Sequence, residues 1–175
     1  MQGYWVSGEF PTMVRQVPWY FLIEEKRWIP REDAFISPSR DRHFMVWNDN
    51  CIVCHAVGGK PGLNLSQGTV KTQVAEFGIS CEACHGPGEE HIAWREQQVE
   101  IVKDSSKDPI VNPERCDSRV SSQICGQCHS AFSPLDAPAF FKRGYTYRAG
   151  GDLEKSHRLL TFKETRSKRG NDRVQ

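Results

Sequence analysis

The stretch CEACHGPGEEH, residues 81–91, brings together the chemical groups that decide how this chain folds. Cys81 and Cys84 are three positions apart, and His85 follows them directly. Gly-Pro-Gly comes next and forces a turn, because proline cannot continue a helix and glycine adopts backbone angles that other residues avoid. His91 follows after two glutamates. Two thiols with an adjacent imidazole, and a second imidazole beyond a turn, indicate a cofactor site.

The C-x-x-C-H pattern occurs three times and uses six of the seven cysteines. It is the attachment signature of c-type haem: the thiols bond to the haem and the histidine binds the iron from below. We therefore predict three haems c. Their predicted ligands are Cys51, Cys54 and His55 for the first haem, Cys81, Cys84 and His85 for the second, and Cys125, Cys128 and His129 for the third.

Disulfides or a zinc module with a redox role are the alternative explanations for paired cysteines. Zinc takes four ligands, commonly from two C-x-x-C pairs, so three pairs would leave one unmatched. Neither alternative gives a reason for a histidine after every pair, and haem is therefore favoured. Cys116 fits no motif spacing, and we expect it to pack as a small apolar side chain rather than act as a reactive thiol.

The remaining histidines equal the predicted irons in number, so two histidines for every iron are arithmetically possible. His91 is the strongest candidate for a distal ligand, because a helix predicted for EEHIAWREQQVEIV begins just beyond the turn and can point it at a neighbouring haem. His43 fits a ligand and a surface histidine equally well. His157 lies among charges on a predicted helix, which favours the surface over the iron.

The hydrophobic fraction of 38% is low for a chain that must bury its own core. Three haems are large apolar bodies that would supply the missing core. We therefore predict a mainly irregular and α-helical fold, with short helices and loops packed around haems. The predicted division is a β-rich segment at 1–36, a three-haem domain at 37–162 and a polar tail at 163–175. The β-rich segment is expected to contain a hairpin with its tip at Glu25–Lys26 and to cover one haem face.

Several local elements can also be predicted. Residues 70–80 are expected to form a short helix that leads into the second motif. Ser118 or Ser121 is expected to cap the helix that carries the third motif. Residues 133–152 are expected to be irregular, with four aromatic residues able to pack on a haem: Phe140, Phe141, Tyr145 and Tyr147.

Charge and hydropathy exclude several functions. The net charge is +1, which gives no electrostatic reason to bind nucleic acid or an anionic membrane. The longest apolar run, Trp19 to Ile23, is too short to span a bilayer. No signal peptide is recognisable, and the abrupt apolar start leads us to expect a piece of a longer protein.

The motif C-x-x-C-H-G-P-G-x-x-H at 81–91 resembles that of the multihaem c-type cytochromes related to the tetrahaem cytochrome c of nitrifying bacteria. The flanking sequences VAEFGISCEACHGPGEEH and SSQICGQCHS are also similar to that group, so the resemblance covers about 47–132. QVPWYFLIEEKRWIPRED resembles a segment that precedes the haem motifs in some large bacterial members. The resemblance implies electron transfer by clustered haems in the periplasm or another extracytoplasmic space. It also implies that His85 is a proximal ligand and His91 a distal ligand to another haem.

The sequence departs from that group in its lack of an export signal and of a fourth upstream motif, and in its short continuation after the last motif. A piece of a longer member would explain all of these departures.

An electron carrier is the favoured function, because two histidines on each iron leave no position open to substrate. The alternative is a multihaem oxidoreductase with nitrite or hydroxylamine chemistry at one open iron. The sequence contains no compact catalytic constellation, so no catalytic residue is predicted. The expected partners are redox proteins and haems in the rest of a longer chain, with no nucleic acid and no membrane span.

Overall fold

The computed structural model describes residues 1–34, 46–97 and 105–160, without the side chains of Glu32 and Ser105. His43 lies outside these residues, as do the predicted domain boundary at 36 and the predicted tail at 163–175. The division into domains therefore stays a prediction.

The chain begins with a three-stranded antiparallel sheet in the order β1-β2-β3. Its strands are β1 (Gln2–Ser7), β2 (Val14–Leu22) and β3 (Arg27–Pro30), and a short helix α1 (Arg31–Ala34) follows. β2 and β3 join through a tight turn in which Lys26 has a φ of 51°, so the predicted hairpin tip is confirmed. The register of β1 against β2 shifts between Gly3 and Trp5.

Short elements make up the rest of the described chain. A π-helical turn (Trp47–Cys51) leads into α2 (Ile52–His55), followed by β4 (Ala56–Val57), β5 (Leu63–Asn64), β6 (Thr69–Val70), β7 (Glu76–Phe77), α3 (Cys81–His85), α4 (Glu89–Glu96), α5 (Ser118–His129), β8 (Phe132–Pro134), α6 (Ala137–Arg143) and β9 (His157–Leu159). Single 3-10 turns lie at Ser105–Lys107, Pro113–Arg115 and Leu153–Lys155. The short strands pair antiparallel as β4 with β7, β5 with β6 and β8 with β9. Short helices and loops were predicted; the small sheets between them were not.

The helix predicted over 70–80 is wrong. Phe77 and Glu76 form β7, which pairs with Ala56 and Val57 directly after the first motif. Gly78 then turns with a φ of 85° and donates its N–H to the carbonyl of His55 at 3.0 Å. A partner strand distant in sequence therefore decides the conformation here, and local helix propensity does not.

The predicted cap of the third-motif helix is also wrong, by one residue. Asp117 is the N-cap of α5, because its backbone is extended and its carboxylate accepts the N–H of Val120 at 2.9 Å. Ser118 is already helical, and Ser121 lies inside the first turn.

The segment 133–152 is less irregular than predicted, because it contains α6. Asp136 caps this helix by accepting the N–H of Ala139 at 2.9 Å. Gly144 ends it with a φ of 76°, and a Cβ at this position would lie 2.0 Å from the carbonyl oxygen of Gly59. Only glycine therefore allows α6 to approach the loop after the first motif so closely.

The apolar core of the described residues is small. Ile52 of α2, Ile124 of α5 and Leu153 are almost fully buried and belong to the region where the first and third motifs meet. By contrast, Phe77 and Ile79 beside the second motif expose 75% and 65% of their surface. Within the described ranges, no helix has the length and apolar character needed to cross a bilayer.

Asn48 joins the N-terminal sheet to the first motif. It is buried, and its Oδ1 accepts the N–H of Val14 at 2.7 Å. Its Nδ2 donates to the carbonyl of Thr12 at 3.2 Å and to the Thr72 hydroxyl at 2.8 Å. One amide side chain thus connects the sheet, the π-helical turn and the loop between the first two motifs.

Asn48→Ala should lower the free energy of unfolding by about 2 kcal/mol, because partly buried polar groups would lose their hydrogen-bond partners. Urea unfolding of the two proteins measures this difference. Asn64→Ala is the matched control, since the Asn64 side chain is exposed and hydrogen-bonds to Ser66 and Gln67 of its own turn, and it should change stability by less than about 0.5 kcal/mol. Equal losses in the two variants would contradict the prediction.

Candidate functional site

Each C-x-x-C-H motif lies on a helical turn that ends at its histidine. The second motif is the whole of α3, and the third forms the last turn of α5. The first begins at the end of the π-helical turn and continues through α2. A helical turn places residues i and i+3 on one face, about 5–6 Å apart at Cβ. Both thiols of a motif can therefore reach the same side of one rigid cofactor.

The third motif contacts the other two. The Gln127 side chain donates from Nε2 to the carbonyl of Ala83 at 2.8 Å, and these are inner residues of the third and second motifs. Cys54 Sγ of the first motif lies 3.9 Å from the Cys128 carbonyl oxygen of the third. Motifs that are distant in sequence thus come together at one place in the structure.

A cavity of about 210 Å³ lies where the motifs meet. Residues of all three motifs line it, among them Cys54, Ala83 and Cys128. The aromatic segment after α6, which contains Tyr145 and Tyr147, also lines it, as does His157 of β9. Phe140, which was predicted to pack on a haem, also lines it. The cavity therefore presents thiols, aromatic rings and an imidazole to a common space.

The thiols of Cys54 and Cys128 interact directly. A hydrogen bond from the Cys128 thiol lowers the pKa of Cys54 to about 7, although burial acts in the opposite direction. The same hydrogen bond, together with burial, raises the pKa of Cys128 above its usual value. Cys54 is therefore the more readily ionised thiol of the pair, and the thiolate is the more nucleophilic form.

The N-terminal sheet also reaches a motif. Burial raises the pKa of Cys51, and a hydrogen bond from the Trp5 side chain opposes this shift. Trp5 of β1 thus lies against the first thiol of the first motif. The N-terminal sheet therefore contacts the first motif, as it must if it covers a haem attached there. That the sheet covers a haem face stays a prediction.

The expected surface position of His157 on a helix is wrong. His157 begins strand β9 and is only 2% exposed. Its ring stacks on Tyr145, with 3.7 Å between the ring centroids, and its Nδ1 lies 2.8 Å from the Ser156 hydroxyl. Burial lowers the pKa of His157 to about 4, so the imidazole is neutral at pH 7 and keeps a lone pair for a metal.

His91 lies in the first turn of α4, as the sequence predicts, and it is held by a carboxylate. Its Nδ1 is 2.6 Å from Oδ1 of Asp108, whose Oδ2 accepts from Arg95 at 2.9 Å. Burial would raise the pKa of Asp108, but hydrogen bonds from His91, the Ile110 N–H and Arg95 lower it overall. Asp108 is thus ionised at neutral pH.

The histidines within the motifs differ in their surroundings. Nδ1 of His85 lies 2.7 Å from the carbonyl oxygen of Val111, whereas His55 and His129 are exposed to solvent. His43 cannot be placed, since it is outside the described ranges.

Haem fits the residues present. All seven cysteines are free thiols, and Cys81, Cys84 and Cys125 are exposed. The exposed apolar side chains beside the second motif supply surface that a large apolar cofactor would cover. The buried hydroxyl of Tyr147, beside the cavity, has no hydrogen-bond partner among the described residues, and a haem propionate is an acceptor of the kind it needs.

The sequence analysis missed residues that contact the 81–91 stretch from distant positions in the sequence. Asp108 and Val111 lie in what reads as a polar linker, and Gln127 is an interior residue of a motif whose x positions carry no signal. The aspartate before Pro109 gives no local indication that it contacts a histidine 17 positions earlier. Only the fold brings Asp108 and Val111 to the imidazoles and Gln127 to the second motif.

Comparison with known proteins gives two matches. The family model described as cytochrome c554 and c-prime matches residues 27–86, which include the first two motifs. The crystal structure of the outer cell wall cytochrome OcwA has a similar fold, with a TM-score of 0.57 and 19% sequence identity. The similarity covers 94% of this chain and 32% of that chain, so this chain spans about a third of that cytochrome. No curated protein is significantly similar to the sequence.

The family model covers about a third of the chain, including the first two motifs, and the structural match shows a shared fold. They agree with a fold of short helices and small antiparallel sheets. The nearer resemblance to the tetrahaem cytochrome of nitrifying bacteria stays a prediction.

In the folded, haem-free chain, alkylation of Cys54 should follow a titration with a midpoint of about 7, because Cys128 stabilises the Cys54 thiolate. Iodoacetamide labelling across a pH series, read by peptide mass spectrometry, measures this midpoint. Cys128→Ala should move it above the ordinary thiol value of about 8.5, because the burial that raises the pKa of Cys54 remains.

Cys116→Ala is the control and should leave the midpoint of Cys54 unchanged. Labelling in concentrated urea should bring Cys54 to the ordinary thiol value even with Cys128 present. If the labelling midpoint of Cys54 is the same with and without Cys128→Ala, the two thiols do not interact.

Proposed function

We propose that this chain is an electron-transfer module that carries three covalently attached haems c. The observation that supports this most strongly is the convergence of the three motifs through the Gln127–Ala83 hydrogen bond and the contact between Cys54 and Cys128. Haem iron, when bound, supplies one-electron oxidation and reduction. The protein residues hold the cofactors close together, and closely spaced cofactors exchange electrons directly.

We assign His55, His85 and His129 as proximal ligands and His91, His157 and His43 as distal ligands. His91 is favoured because a carboxylate fixes its ring, as is usual for histidines that bind metals. His157 is favoured because it is buried, neutral and on the wall of the cavity between the motifs. His43 is assigned from the number of histidines alone.

Six-coordinate irons favour a carrier over an enzyme, since no coordination position remains for substrate. A multihaem oxidoreductase with one open iron is the alternative, and the spin state of the irons distinguishes the two. We further propose that the module works outside the cytoplasm and exchanges electrons with redox proteins, and with further haems where it forms part of a longer chain. The structural relative is an outer cell wall cytochrome, which is consistent with this proposal.

The protein, produced with an export signal and a haem-attachment system, should contain three haems per chain that survive acid–acetone extraction, one for each motif. The pyridine haemochrome spectrum and the intact mass give the number. Replacing Cys125 and Cys128 by alanine should reduce it to two, whereas Cys116→Ala should leave it at three. Loss of a haem on replacement of Cys116, or haem that extracts freely, would contradict the assignment.

His91→Ala and His157→Ala should each convert one low-spin haem to high spin, because each removes one iron ligand. Electron paramagnetic resonance of the ferric protein counts the spin states. His91→Met is a useful second variant, since a thioether can replace the imidazole and keep the iron low-spin. A high-spin iron in the unaltered protein would favour the enzyme, and an unchanged spectrum would remove that histidine from the ligand set.

A further inference from the structure

The segment Asp108–Val111 holds both imidazoles of the 81–91 stretch. At its beginning, Oδ1 of Asp108 lies 2.6 Å from Nδ1 of His91. At its end, the carbonyl oxygen of Val111 lies 2.7 Å from Nδ1 of His85. The Val111 N–H also donates to the carbonyl of His85 at 3.2 Å, so both main-chain groups of Val111 engage the same histidine.

The two contacts fix the protonation of both rings. A carbonyl oxygen and an ionised carboxylate can only accept hydrogen bonds, so Nδ1 must be the donor in both histidines. In the neutral ring the lone pair then lies on Nε2. Both rings thus turn the same nitrogen away from the segment, and that nitrogen is free to bind a metal.

Arg95 and the turn after α3 complete the arrangement. Arg95 contacts Oδ2 of Asp108, which leaves Oδ1 directed at His91 and balances the negative charge. Glu82 holds the intervening turn, since its Oε1 accepts the N–H of Gly88 at 2.7 Å. The relative position of His85 and His91 is therefore restrained both through the turn and through the segment Asp108–Val111.

The segment is itself anchored to the loop beyond α6. Gly150 has a φ of 87°, and a Cβ at this position would lie 2.9 Å from Cγ2 of Val111. The loop thus packs against the Val111 side chain at a distance that only glycine allows. Asp108 and Val111 are connected to the rest of the fold and are not parts of a free linker.

We propose that Asp108–Val111 is an imidazole clamp, in which Asp108 is a positioning residue that orients His91 and strengthens it as an iron ligand while Val111 does the same for His85. The proposal rests on the haem ligation proposed above and adds a residue to it. A carboxylate that accepts from Nδ1–H makes the imidazole a stronger donor at Nε2, and a stronger donor stabilises ferric iron. One four-residue segment would then set the properties of two haems.

The test uses the haem-loaded protein and compares Asp108→Ala with the unaltered chain. His91 should still bind its iron, but cyanide should displace it at a concentration roughly 10- to 100-fold lower. The reduction potential of one haem should rise, because a weaker donor stabilises ferric iron less. One set of low-spin g-values in the paramagnetic resonance spectrum should shift.

Asp108→Asn keeps an acceptor oxygen without the charge and should give intermediate values; it also carries the test if Asp108→Ala does not fold. Glu154→Ala is the matched control, since Glu154 is an exposed carboxylate that pairs with Arg119 at 2.8 Å, and it should change none of the three measurements. Arg95→Gln leaves the His91–Asp108 contact in place and should change them less than Asp108→Ala does.

Two failures can be distinguished. If His91→Ala creates no high-spin haem, then His91 is not a ligand, and both the proposed ligation and the clamp are wrong. If His91→Ala creates a high-spin haem while Asp108→Ala and Asp108→Asn leave the potential, the g-values and the cyanide midpoint unchanged, then the ligation holds and the clamp is wrong.

Discussion

The contact of the third motif with the other two is the interaction on which the arrangement depends. Gln127 reaches Ala83 of the second motif, and Cys128 meets Cys54 of the first. These contacts place the end of α5 between two segments that are far apart in sequence. The aromatic segment after α6 then closes against them, with Tyr145 stacked on His157. Without the central position of α5, the motifs would be three independent helical turns, and no common space would lie between them.

This arrangement also accounts for the thin apolar core. The most buried apolar residues, Ile52 and Leu153, belong to the segments that bring the motifs together, whereas Phe77 and Ile79 lie on the surface. A core this small gives little hydrophobic stabilisation, which scales with apolar area removed from water. A chain that attaches large apolar cofactors gains that burial from them. In such a chain the side chains serve mainly to fix the attachment segments, and Asn48 holds the start of the first motif through hydrogen bonds to Val14 and Thr72.

Haem attachment is a prediction that the sequence makes on local grounds, because attachment requires cysteines and a histidine at fixed local spacing. The hairpin tip at Glu25–Lys26 was also predictable, since it depends on a tight turn between two apolar runs. Features that depend on contacts with residues distant in the sequence could not be predicted. Residues 76–77 pair with a strand 20 positions earlier, and His157 is buried by aromatic rings from another segment. The charged residues next to His157 in the sequence predicted a surface position. That prediction was wrong, because the neighbours of His157 along the chain are not its neighbours in space.

The turn at Gly-Pro-Gly shows why a motif alone does not define a site. Local sequence explains why the chain turns, and Glu82 explains why the turn keeps one shape. Neither explains which way the two imidazoles face. That direction requires an acceptor at each Nδ1, and the two acceptors, Asp108 and the Val111 carbonyl, come from one segment held by its packing on Gly150. Because one segment supplies both acceptors, a displacement of the whole segment would move the acceptors of both histidines.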